Sequence, residues 1–330
     1  MIWYKENNPD IVISTRVRLA RNLDGVPFPD TLGDKSAAIK KIKDAVFNSN
    51  TTLSKDFKDM NFSSLSESEK RKLSEKHLIS PEMIKRENCD CLINKDETMS
   101  IMIMEEDHIR QQVILGGYKL DEAYELCDKV DDVLSESLDF AFDEKLGYLT
   151  ACPTNIGTGM RASVMLHLPA LVMTGNINRV VSLADSVSIA VRGYYGEGSG
   201  SDGSFFQISN KITTGASEKE IIERVKNVTE QIISLEKQSR EALMKNNENE
   251  LADKVCRSYG ILKYSRKISS KEAISLLSDV LLGKNLGIIK DKGKLSVMEC
   301  VVGASPANIG ATLTPMERDI HRAEFLRNNI

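Results

Sequence analysis

The 330-residue sequence predicts an α+β protein, with a mixed domain over residues 1–240 and a helical domain over 241–330. Three observations carry that prediction. Short β-branched, alternating runs recur through the first two thirds of the chain, segments of helical periodicity separate them, and from Ser217 onward long helical patterns with capping signals take over.

In chain order, the run Ile11-Val-Ile-Ser-Thr-Arg-Val-Arg-Leu-Ala20 alternates as a strand does, with Arg16 and Arg18 on one face. Helical patterns follow at 36–49 and 66–76, the second opening with Ser66 and Glu69 at capping-box spacing. Residues 91–94 and 99–104, joined by a polar turn, predict a hairpin. Residues 119–143 carry apolar positions at helical spacing, and 161–173 predict a second, strongly apolar helix that ends near Thr174-Gly175. Residues 179–184, 188–192 and 204–209 read as strands. Between the last two, residues 193–203 hold five glycines in 11 positions, which predicts a loop able to act as a mobile lid. Ser217 with Glu220 starts a helix to about Lys245, the polar run 246–250 breaks it, and Ser269 with Glu272 opens another. Thr314, Pro315 and Glu317 supply the N-cap, N1 and N3 positions of the last helix.

Composition narrows the function. With 41% hydrophobic and 28% charged residues the chain can bury a sizeable core, and a net charge of −4 argues against polyanion binding as its main role. The N-terminus lacks a basic stretch followed by an apolar one, and no apolar run nears the roughly 20 residues of a membrane span, so a cytoplasmic location is expected. Six scattered cysteines (Cys89, Cys91, Cys127, Cys152, Cys256 and Cys300) read as reduced thiols. The close pair Cys89 and Cys91 lacks further ligands, and His77, His108, His167 and His321 form no ligand pattern, so no protein-held metal site is expected.

Chemistry concentrates elsewhere. The run Cys152-Pro-Thr-Asn-Ile-Gly-Thr-Gly-Met-Arg161 is a glycine-bearing, phosphate-type loop that ends in arginine, in a chain with neither a Walker loop nor a His-Arg-Asp kinase signature. Phosphate handling would then fall to arginine. Arg16, Arg18, Arg110, Arg161 and Arg192 each read singly as a surface charge, but converging they would clamp a polyphosphate, helped by a helix N-terminus near Arg161. Glu105-Glu-Asp107 follows an apolar strand, Glu106 and Arg110 would share one face of a helical turn, and Glu197 sits in the glycine-rich loop. If Glu106 and Glu197 reach one pocket, they could hold a cationic acceptor and take up its proton.

The runs Ser14-Thr-Arg-Val-Arg18, Glu105-Glu-Asp-His-Ile-Arg110, Cys152-Pro-Thr-Asn-Ile-Gly-Thr-Gly159 and Arg192-Gly-Tyr-Tyr-Gly-Glu197 together resemble, in order, the catalytic domain of the phosphagen (guanidino) kinases over residues 11–240. The resemblance implies a mainly antiparallel sheet flanked by helices. It implies that Arg16, Arg18, Arg110, Arg161 and Arg192 hold ATP phosphates, with Ser14, Thr15, Val17, His77, Ala162, Ser163, Val164, Met165, Gly193, Tyr194, Tyr195 and Gly196 around the nucleotide. Glu106 and Glu197 would hold and deprotonate the acceptor guanidinium, Glu197 also bordering the nucleotide, and Cys152 matches the cysteine near that guanidinium. Mg²⁺ would be held mainly by ATP and water. Met104 departs from the family's Asn before the acidic run, and the loop after Glu197 is also altered.

Metabolite kinases of this family place a helical domain ahead of the first arginine strand, which this chain reaches by residue 14. At its other end it carries Arg318-Asp-Ile-His-Arg-Ala323. Both features resemble the bacterial protein-arginine kinases of the same superfamily. That resemblance implies transfer from ATP to protein arginines, marking for Clp-type degradation in stress, a homodimer, an McsA-type activator and a Clp-type unfoldase. It also implies allosteric phosphoarginine binding by Arg318, Asp319, Arg322 and Ala323. On a helix, Arg318 and Arg322 lie one turn apart, where they would meet a phosphate while Asp319 meets a guanidinium. Alternatives are a kinase of free arginine or another small guanidino metabolite, and a non-catalytic phosphoarginine-binding adaptor.

Overall fold

The computed structural model describes residues 2–5, 9–194, 202–291 and 293–330, and the statements below concern those residues. Ten strands form: β1 (Val12–Arg21), β2 (Phe57–Asp59), β3 (Asp90–Asn94), β4 (Met99–Ile103), β5 (Ile109–Gly116), β6 (Phe142–Asp143), β7 (Gly147–Tyr148), β8 (Met160–His167), β9 (Ile189–Gly193) and β10 (Phe205–Asn210). Six helices accompany the strands: α1 (Ser36–Phe47), α2 (Leu53–Asp56), α3 (Glu67–Glu75), α4 (Leu120–Ser135), α5 (Pro169–Met173) and α6 (Ile177–Ser186). Six more complete the chain: α7 (Glu218–Asn246), α8 (Glu248–Tyr264), α9 (Ser270–Asn285), α10 (Val297–Gly303), α11 (Pro306–Gly310) and α12 (Pro315–Asn329).

Eight strands make one sheet in the order β2-β3-β4-β5-β1-β8-β10-β9, with every neighbouring pair antiparallel. The expected antiparallel α+β architecture is therefore present. Alternation sorts the central strands into two faces. Val17 and Leu19 of β1, Val113 and Leu115 of β5, Ala162, Val164 and Leu166 of β8 and Ile208 of β10 point one way. They pack with Ala123 and Cys127 of α4 and Ile221, Val225 and Ile232 of α7 in one core. The opposite face carries the arginines. At one end it is covered by the C-terminal helices, where Ile114, Met165 and Phe205 join Leu277, Val280 and Leu281 of α9. A third core lies between α1 and the β3–β4 hairpin, around Ile42, Phe62, Leu92 and Ile101.

The capping signals hold in the structure. Ser66–Glu69, Ser217–Glu220 and Thr314–Glu317 form reciprocal capping boxes, each worth about 1 kcal/mol to its helix, and the Ser269 side chain accepts from Glu272 N. The long helices break at Asn247, between α7 and α8.

Two expectations are corrected. Residues 160–167 form strand β8 rather than the start of a helix, so the helical part of the expected 161–173 element is only α5. β8 is buried at seven of its eight positions, and its alternation runs directly into the apolar residues of α5, so the two read together as one apolar element. Residues 179–184 lie in helix α6 rather than a strand. Its Val180 and Ala184, four residues apart, are buried while Val181 between them is exposed. No described helix is long and apolar enough to cross a membrane.

Candidate active site

Register brings the arginines together. Arg16 and Arg18 alternate onto one face of β1; Arg18 lies opposite Arg161 on β8 and opposite Gln112 on β5, two residues from Arg110. On the far side Gln207 pairs with both Met165 and Arg192, which puts Arg192 on the same face. Arg18, Arg110, Arg161 and Arg192 line one cavity of about 610 Å³, and Arg16 follows along the strand. Arg161 therefore reaches the cavity from a strand, and the helix N-terminus expected beside it is absent.

At Arg16 and Arg18 the described residues leave charge poorly compensated. The Nε atoms of Arg16 and Arg18 are buried without a hydrogen-bond acceptor among the described residues. Burial, then the neighbouring guanidiniums of Arg110 and Arg161, pushes Arg16 down to about 10. Burial, followed by Arg16, Arg110 and Arg161, lowers Arg18 as well. Arg110 does have a carboxylate partner, Glu105, which is 2% exposed. Arg110 Nη1 donates to both Glu105 oxygens at 2.9 and 2.8 Å, and Ser80 Oγ donates to Oε1 at 2.5 Å.

The acidic run forms the tight turn of the β4–β5 hairpin rather than a helical turn. It starts from Met104 at φ 61° and closes with Met104 N donating to His108 O. Glu106 on this turn and Arg110 on β5 both line the cavity. The Glu106 backbone N–H donates to Glu105 Oε2, and its half-buried carboxyl is raised by burial and by neighbouring Asp107. Asp107 is 1% exposed; its Oδ1 accepts from Asn22 Nδ2 and Ala151 N, both at 2.7 Å, tying the turn to the residue before Cys152. His108 Nδ1 accepts from Leu23 N, so Nε2 is the protonated nitrogen and donates to Pro27 O.

The loop at 152–159 forms another wall of the cavity. Its glycines are required by backbone packing: a Cβ on Gly157 (φ +112°) would lie 2.2 Å from Thr213 O, and one on Gly159 (φ +63°) 2.5 Å from Ala20 O. Thr213 Oγ1 donates to Thr154 O and Ile156 O. Buried Arg21 donates to Thr158 O while paired with Asp131 at 2.8 Å, its guanidinium 3.5 Å from the Tyr148 ring centre. The Cys152 thiol, partly exposed, lies 3.0 Å from Thr154 Oγ1.

The other expected nucleotide residues divide. Ser14, Ser163 and Met165 share the arginine face, although Met165 belongs to the core under the C-terminal helices. Thr15, Val17, Ala162 and Val164 point to the opposite face and are buried there, so their side chains do not reach the cavity. Gly193 ends β9, and Tyr194 lies 5.5 Å from the His77 ring, which Trp3 flanks on another side at 5.2 Å. Burial and then Arg16 and Arg18 push His77 down to about 3. Tyr195, Gly196 and Glu197 lie outside the described residues, as does most of the expected lid. No cluster of three or more ligating side chains that could hold a metal occurs among the described residues.

On α12, Arg322 is 1% exposed and donates through Nε to Ala304 O and through Nη1 to Ile268 O and Asp319 Oδ1. Ala323 is fully buried. Of the four residues of that motif, Arg318 lines an open cavity, of about 320 Å³, with Arg71 and Glu75 of α3. The burial of Arg322 is a departure from the arrangement the helical spacing suggested, because α10 and the α8–α9 connection cover that side of α12.

Sequence reasoning missed Glu105, Asp107, Asn22, Arg21 and Thr213, the residues that hold the cavity walls. The doubled acid at 105–106 was a usable signal for Glu105, since an arginine cluster needs a local counter-charge. Nothing local in the sequence marked Asn22 or Thr213.

The class these features define is the ATP:guanido phosphotransferases, whose C-terminal catalytic domain residues 37–239 match. Residues 248–330 match the protein-arginine kinase McsB C-terminal domain. A protein-arginine kinase from Caldanaerobacter subterraneus is 45% identical over 97% of each chain, and one from Clostridium acetobutylicum is 48% identical over 97% of this chain and 96% of the relative. Among solved structures, lombricine kinase shares the fold at TM-score 0.62 and 23% identity, over 73% of this chain and 70% of that one. The substrate-free duplicated taurocyamine kinase from Schistosoma mansoni aligns at TM-score 0.60 and 27% identity, over 80% of this chain and 39% of that one. The chain belongs to the protein-arginine kinase family.

Proposed function

We propose that the chain transfers the γ-phosphoryl group of ATP to arginine side chains of proteins, with its arginine face as the phosphate clamp. The observation that carries this reading is the pair Arg16 and Arg18, set among like charges with each Nε atom buried and lacking an acceptor among the described residues. A polyphosphate supplies the missing acceptors, and its negative charge reverses the repulsion among the guanidiniums.

In the proposed reaction Glu106, together with Glu197, holds the acceptor guanidinium and takes up its proton. A raised carboxyl suits Glu106 to that task, because it holds the proton more firmly than an exposed glutamate. The freed nitrogen attacks the γ-phosphorus, an N–P bond forms, the bond to the β-phosphate oxygen breaks, and ADP leaves with its electron pair. Arg110, braced by Glu105, and Arg161 and Arg192 face the charge that spreads over the transferring oxygens. Bound with ATP, Mg²⁺ would neutralise part of the charge on the phosphates. Cys152, on the wall joined to Asp107 through Ala151, stands beside the acceptor.

Incubation with ATP, Mg²⁺ and an arginine-rich protein should give acid-labile phosphate on the protein; no transfer by the folded enzyme would sink the reading. Glu106→Ala should lose transfer, by about 100-fold or more, while ATP still binds. Competition between free arginine and the protein acceptor separates this activity from that of a metabolite kinase. The wider role that fits this reading is marking proteins for a Clp-type unfoldase under stress, as a homodimer with an McsA-type activator. The cavity beside Arg318 is the place for phosphoarginine control, the domain division being 1–240 and 241–330.

A further inference from the structure

Glu75, the last residue of α3, reaches into the C-terminal helices. Its Oε2 accepts from Ser305 Oγ (2.5 Å), Asn308 N (3.1 Å) and Asn308 Nδ2 (3.0 Å), and its Oε1 accepts from Ala307 N (2.7 Å). Four donors on one carboxylate fasten α3 to α11.

Two residues further on, His77 adopts the left-handed conformation, φ 62°, at the point where a helix ending is usually finished by glycine. A non-glycine residue holds that conformation at a cost of about 1–2 kcal/mol and needs surrounding contacts to maintain it. Those contacts lead to the arginine face. The His77 carbonyl accepts from Gln112 Nε2 at 2.7 Å, and Gln112 lies directly opposite Arg18 in the β1–β5 register. The His77 ring is flanked by Trp3 and Tyr194, and Trp3 Nε1 donates to Lys76 O at 3.0 Å.

We infer that Glu75 is a positioning residue for nucleotide binding: by anchoring α3 to α11 it holds the strained 76–78 backbone against Gln112, the cross-strand neighbour of Arg18. The inference rests on the proposed reading that Arg16 and Arg18 take ATP phosphates. Without the anchor the backbone at His77 relaxes, Gln112 loses its hold beside Arg18, and the mutual repulsion of the two guanidiniums spreads them. The hairpin turn bearing Glu106 is braced separately, through Asp107, Asn22 and Ala151, and keeps its geometry. The expected signature is a loss of ATP affinity with turnover spared.

Glu75→Ala should raise KM for ATP about tenfold, which is 1.4 kcal/mol of binding, and leave kcat at saturating ATP within about twofold. Glu75→Gln, which retains one acceptor oxygen, should fall between wild type and Glu75→Ala. Asn308→Ala, on the other side of the anchor and away from the cavity, should shift KM in the same direction. It carries the test if Glu75→Ala fails to fold. A lowered melting temperature with unchanged KM for ATP in these variants would mean that the anchor is merely structural and would overturn the inference. So would a fall in kcat at constant KM. Arg16→Ala is the control for the underlying reading: if it too leaves ATP binding intact, the phosphate clamp itself is wrong.

Discussion

The guanidinium of Arg18 is held among three like charges, with the Glu105 carboxylate opposing them from beside Arg110. Such a placement opposes the stability of the empty protein, and under the proposed reading it is retained for the phosphates. Arg18→Met should therefore raise the melting temperature of the nucleotide-free protein by about 2 °C and abolish the further rise that ATP gives, both read by thermal shift. His77 adds a pH dependence of definite sign. Its folded-state value of about 3 lies below the ordinary 6.5, so between those limits the unfolded chain binds the extra proton and the native one does not. Stability is thus complete above pH 6.5 and declines as the pH falls toward 3. Urea midpoints at pH 7 and pH 5 should differ more for the wild type than for His77→Gln.

At the scale of elements, the loop from Cys152 to Gly159 depends on two backbone approaches. Gly157→Ala would force a Cβ onto Thr213 O in a region of φ closed to alanine, and should cost about 3 kcal/mol together with a fall in kcat, read by denaturant midpoint and by initial rates. The same scale shows where the sequence could be read and where it could not. β1 was legible because Arg16 and Arg18 interrupt an otherwise apolar alternation, and the capped helices were legible because Ser or Thr stands three residues before Glu. β8 was not, because its alternation runs directly into the apolar residues of α5, and the two read together as one apolar helix. α6 was not, because the adjacent Val180 and Val181 have strand propensity while only the first is buried in a helical pattern. The site was legible in its arginines and in Glu106, which are unusual in their settings. Its supports were not: Asn22, Arg21 and Thr213 act over separations of 57 to 137 residues, distances that no local pattern encodes.

Over the whole molecule, the C-terminal helices are joined to the catalytic part by a shared core and by the Glu75 anchor, while Arg322 ties α12 to the end of α10 and the α8–α9 connection. Arg322→Ala would leave Ala304 O and Ile268 O without their donor and Asp319 without its partner. It should lower the unfolding free energy by about 3 kcal/mol, seen as a lower denaturant midpoint and earlier proteolysis in α10–α12. The sheet's register has a different consequence, one for assembly. β1 pairs with β5 about a hundred residues later in the chain and with β8 about fifty residues beyond that. A slip of one residue at either seam would turn Arg16 and Arg18 into the apolar layer of α4 and α7 and bring Val17 and Leu19 to the surface. Mispaired chains would carry two bare charges in oil and could not persist, so the side chains proposed to meet the nucleotide would also proofread the protein's folding.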